Sequence, residues 1–63
     1  MKGVEPGVKI RIVSMDGEPR YTGKVGTVER VFRDPWGDWW ATGTWGGCNL
    51  LLTGEDVWEI IND

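Results

Sequence analysis

The 63 residues make one domain, 1–63, near the lower size limit for a self-supporting core. A single cysteine excludes an internal disulfide, and with no histidine the scattered carboxylates offer no zinc site. No apolar run reaches the roughly 18 residues of a membrane span, and the opening MKGVEPG lacks the apolar segment of an export signal, so a cytoplasmic location is the default.

So short a chain buries only about 60% of its unfolded surface, and large side chains must carry much of the stability. Five Trp, one Tyr and one Phe answer that need, each ring covering roughly 150–250 Å². Core packing is therefore the first reading of any one of these tryptophans. The net charge of −3 is unevenly spread. All seven basic residues lie before residue 34, and residues 34–63 hold six acids and no base. Such asymmetry marks either a polar interaction surface or two halves whose charges interleave when strands pair, and the second is the favoured reading.

Residues 1–5 form a lead-in expected to fray. After Pro6-Gly7, residues 8–12 alternate at period two, which places Val8, Ile10 and Ile12 inside and Lys9 and Arg11 outside. Residues 14–22, SMDGEPRYT, read as a long loop able to fold back as a flap, with Tyr21 at its far end. The second strand spans 23–32. Gly23 and Gly26 open it and suggest a bulge or the close approach of another backbone. Val28 and Val31 are three apart, so a bulge near Glu29-Arg30 is needed to bring both to the core side. Residues 33–38, RDPWGD, are a turn that leaves Trp36 without an inward neighbour.

The stretch WWATGTWGGCNLLLT, 39–53, carries the strongest pattern. Gly46-Gly47 suits a two-residue hairpin turn, whose I′ form needs positive φ at both positions. Counting outward puts Trp45 opposite Cys48, Ala41 opposite Leu52 and Trp40 opposite Thr53. Trp39, Ala41, Gly43, Trp45, Cys48, Leu50 and Leu52 then share the inward face. Trp40, Thr42, Thr44, Asn49, Leu51 and Thr53 share the outward one. Residues 54–56 reverse the chain or make one 3-10 turn, and 58–60 close it with Trp58 and Ile60 on one face. The sum is all-β: a five-stranded SH3-like antiparallel barrel with one short 3-10 turn.

The order Pro6-Gly7-Val8-Lys9-Ile10, then Gly23-Lys24-Val25-Gly26-Thr27-Val28-Glu29-Arg30-Val31, resembles the opening strands of SH3-like barrels, including KOW-type modules. The tail Leu50 through Ile61, LLLTGEDVWEII, is similar to the ending of a family of short uncharacterised bacterial, plasmid and phage proteins. The resemblance implies the barrel and a small accessory protein of phage or plasmid type, and it implies no activity.

Three function classes compete. An enzyme needs a poised base beside a nucleophile, and neither histidine nor an activated Ser or Cys is present, so no catalytic or cofactor-binding residue is assigned. Gly23-Lys24-Val25-Gly26 lacks the spacing and following helix of a phosphate-binding loop. A single-strand nucleic-acid or KOW-like RNA binder would stack bases on Tyr21, Trp36 and Trp40 and use Lys9, Arg11, Arg20 and Arg30 on phosphates. The acidic second half opposes it and allows weak binding at most. A protein-interaction module fits best, since Trp and Tyr dominate interface hot spots and aromatic grooves dock extended ligands. The candidate partner surface is Tyr21, Trp36 and Trp40, bordered by Arg20, Arg33 and Asp38, facing a protein partner or a second copy of the chain. In the competing arrangement the 14–22 loop covers Trp36 and Trp40 as a satellite core.

Overall fold

The computed structural model describes residues 3–61. These form a single sheet of five antiparallel strands: β1 (Lys9–Ser14), β2 (Val25–Arg33), β3 (Trp39–Gly43), β4 (Leu50–Leu51) and β5 (Val57–Ile60). One short 3-10 turn, Pro19–Tyr21, is the only helical piece among the described residues. The order across the sheet is β4-β3-β2-β1-β5. β2 is shared. Its first residues pair with β1, Lys9 with Thr27 and Arg11 with Val25, and from Val28 onward it pairs with β3. Switching partners along one strand folds the sheet over on itself as a small barrel. Among the described residues no helix is long and apolar enough to cross a membrane.

The alternation read in the first strand holds: Ile10 and Ile12 are fully buried, Lys9 and Arg11 are exposed, and Val8 packs against the core. The β2 bulge falls where Val28 and Val31 require it, between Val28 and Arg30. Val28 is buried and Val31 packs beside the core. The largest fully buried side chains are Ile10, Ile12, Leu50, Val4 and Val28, each contributing about 1.5–3 kcal/mol on burial. Val4 corrects the frayed lead-in, of which Met1 and Lys2 lie outside the described residues. Gly7 N–H donates to the Val28 carbonyl at 2.8 Å, which docks this segment on β2.

The hairpin register differs from the sequence count by two residues. Ala41 faces Leu50 and Trp40 faces Leu51, not Leu52 and Thr53, and residues 44–49 form a wide loop. The cause is Trp45. Thr44 stays hooked to β2, its N–H on the Thr27 carbonyl and its Oγ1 accepting the Thr27 N–H. Trp45 then turns inward, 3% exposed, with its indole N–H donating to the Cys48 carbonyl at 2.8 Å. A Cβ at Gly26 would lie 2.8 Å from the Trp45 backbone nitrogen, and one at Gly43 would overlap the Trp45 ring. Both glycines are therefore room for the indole, which confirms the close approach read at Gly26. Gly46 has φ 140° while Gly47 has no positive φ, so the I′ turn is not made. Because side chains alternate with period two, a slip of two leaves the faces as assigned. Leu50 and Leu52 are buried and Leu51 is half-buried.

The 3-10 turn lies at 19–21, not 54–56, which is a plain chain reversal. Pro19 suits the first position of the turn, where its missing N–H costs nothing. The turn carries Tyr21 into the core.

Candidate functional site

The turn after β2 is built around one carboxylate. Asp34 Oδ1 accepts the backbone N–H groups of Trp36 and Asp38, each at 2.9 Å, and Oδ2 accepts the Trp40 indole N–H at 2.8 Å. Short polar side chains that bond the backbone two residues on are what fold such turns. The Trp40 indole is the main cause holding the Asp34 carboxyl below its ordinary value of 3.8; the N–H groups of Asp38, Trp36 and Gly37 add to this, and desolvation opposes it. One ionised side chain thus sets both the path of the turn and the orientation of the Trp40 ring. Asp38 extends the network by accepting the Thr53 hydroxyl at 2.9 Å, and Thr53 Oγ1 in turn accepts the Trp39 N–H.

A second carboxylate closes the barrel where strand pairing stops. Asp56 Oδ1 accepts the Asp16 N–H at 2.8 Å and Oδ2 accepts the Leu51 N–H at 2.9 Å. It therefore ties the loop after β1 to the edge strand β4. The Trp58 indole N–H reaches the Leu52 carbonyl at 3.3 Å and adds a third tie across the same gap.

Between these two anchors lies an open cleft of about 300 Å³. Trp40, Leu51, Met15 and Cys48 supply its apolar lining, with Asn49 beside them. Asp16, Glu18, Glu55 and Asp56 complete the wall, and no Lys or Arg lines it. Trp40 and Leu51 are direct cross-strand neighbours on the outward face, both half-buried. Three separate segments meet here because Asp56 pins them together and Asp34 fixes the indole. No described group of three or more His, Cys, Asp and Glu side chains could hold a metal ion.

The six residues read from the sequence do not form one patch. Tyr21 is a correction: it is 7% exposed, its ring packed against Gly46, where a Cβ would lie 2.8 Å from the ring. The fold-back of the 14–22 loop delivers it inward. Arg20 lies 5.4 Å above the Tyr21 ring and pairs with Glu18 at 3.3 Å. Arg33 sits 5.9 Å from the Trp39 ring centroid. Trp36 stands alone at the tip of the turn, 86% exposed, so the loop does not cover it. Only Trp40 of the six lines the cleft. The sequence reading passed over Leu51, although an outward leucine on a polar face was a visible signal. Asp16/Glu18 and Glu55/Asp56 are, in the sequence, two local pairs of acids in separate turns, with nothing to join one pair to the other.

The charge halves do interleave where Arg11 meets Glu59 at 2.7 Å across β1 and β5. Among the described residues, the carboxylates of the cleft make no such pair with β1 or β2. No family model, characterised protein or solved structure matches this chain.

Proposed function

We propose that the chain is a non-enzymatic protein-interaction module whose docking surface is the cleft centred on Trp40. The observation that carries this reading is a half-buried tryptophan and leucine, side by side on an outward sheet face, at the base of a walled cleft. Apolar side chains in a concave surface gain more from a partner than the same side chains on a flat one, because the partner displaces water from several sides at once. Aromatic anchors in such pockets carry most of the energy of protein interfaces. The support from rigidity is equally direct. The Trp40 indole N–H is already bonded to Asp34 and the Leu51 N–H to Asp56, so little ordering cost remains on binding. A nucleic-acid reading finds no support at this surface, since four carboxylates would repel phosphates.

The test is a footprint. Peptides recovered by display selection on the folded chain are titrated into ¹⁵N-labelled protein. The Trp40 indole and the Asn49 and Leu51 amides should shift, while the Trp36 indole stays in place. A footprint confined to the Trp36 turn would contradict the reading.

A further inference from the structure

The cleft also limits what can enter it, and the inference rests on the docking role given to it above. We propose that its occupant is an extended, positively charged peptide segment that sets an Arg or Lys on the acidic rim and a neighbouring apolar side chain against Trp40 and Leu51.

Size is the first argument. About 300 Å³ is the low end of binding-pocket volumes, room for one or two side chains and not for a folded element. The occupant is therefore a strand-like segment lying across the opening.

Charge is the second. Asp16, Glu18, Glu55 and Asp56 surround the opening with no basic residue among the lining groups. Among the described residues no hydrogen bond or ion pair reaches the carboxylates of Asp16 and Glu55. The Glu18 carboxylate, among the described residues, has only a pair with Arg20, whose side chain is 73% exposed, and such pairs exchange readily for others. Asp56 is committed by both oxygens to backbone N–H groups, which fixes its position and leaves its negative charge facing the cleft. Four like charges around one opening repel one another, and a cation placed among them relieves that repulsion while its hydrogen bonds satisfy the open carboxylate oxygens.

The aromatic wall is the third. A guanidinium or ammonium group is attracted to the face of an indole, and Trp is the best of the aromatic partners for it. A carboxylate rim beside a tryptophan suits a cation on both counts. An acidic segment or a nucleic-acid backbone is disfavoured on both.

A display selection of random dodecapeptides on the whole folded chain reads this directly. The recovered sequences should be enriched in Arg and Lys next to a bulky apolar residue. Binding of a recovered peptide to Asp16→Asn/Glu55→Gln should be weaker by about fivefold to tenfold, the size expected for two exposed charges. Its affinity should also fall as salt rises. The pair of substitutions leaves the backbone hydrogen bonds around the cleft in place, and an unchanged thermal midpoint verifies that the variant is folded. Neutral or acidic peptides that still shift the Trp40 indole overturn the charge assignment and leave the docking surface standing. Basic peptides whose footprint avoids Trp40 and Leu51 overturn the docking surface. A selection that yields no binder, or a cleft footprint from single-stranded DNA in place of peptide, overturns both.

Discussion

Trp45 and Trp40 lie five residues apart on the same hairpin, and their surroundings are opposite in kind. Trp45 turns inward over two glycines that leave space for its ring, and its indole N–H is spent on a backbone carbonyl inside the loop. Trp40 faces outward beside Leu51, and its N–H is spent on a carboxylate that also shapes the neighbouring turn. In a chain this small the number of tryptophans says little about their use. What faces each ring decides it: bare backbone makes a core residue, and a positioned anion makes a presented one.

The comparison breaks most visibly on the core side. Trp45→Ala should cost about 3–5 kcal/mol, the range for a buried large aromatic, and urea denaturation followed by circular dichroism measures it. Gly43→Ala should be destabilising by more than the helix or strand propensity of alanine can explain, since its Cβ meets the Trp45 ring and the Thr27 carbonyl. Next comes Asp56→Ala, which removes the acceptor of two N–H groups. A loss of about 2 kcal/mol follows from leaving them without a protein partner, with faster amide exchange at Leu51 and Asp16.

Asp34 sharpens the presented side through pH. Its folded carboxyl titrates below the ordinary 3.8, so its contribution is complete above that value and is lost as pH falls through the lower, folded one. The Trp40 indole resonance should therefore hold steady from neutral pH down to about 4 and move only below it. The smallest effect belongs to Trp36. With 86% of it exposed, Trp36→Ala should change stability by no more than about 0.5 kcal/mol.

Much of this fold was legible because local patterns and tertiary needs agree. Ile10 and Ile12 alternate with charged residues and are buried, and the Val28–Val31 spacing called for the bulge that β2 contains. The hairpin register was not legible for a tertiary reason. Gly46-Gly47 is a sound turn signal locally, but the burial of Trp45 against Gly26 and Gly43 draws the chain inward and widens the loop. The cleft was legible only in Trp40. Its closing bond joins Asp16 to Asp56 across 40 positions of sequence, a pairing that neither residue announces, and each acid by itself looks like any other turn residue. Tyr21 was misplaced because a residue ending a loop is exposed only when the loop stays out, and here a 3-10 turn brings it back.

The most direct test of the central distinction is indole N–H hydrogen exchange, read for all five tryptophans in one set of spectra. Among the described residues, the Trp45, Trp58 and Trp40 indoles donate to Cys48, Leu52 and Asp34, while no hydrogen bond is made by the Trp36 or Trp39 indole. The account predicts slowest exchange at Trp45, measurable protection at Trp40, and exchange at Trp36 as fast as in an unfolded chain. A Trp40 indole that exchanges as fast as that of Trp36 would contradict it, because the cleft would then lack the fixed wall on which the docking role depends.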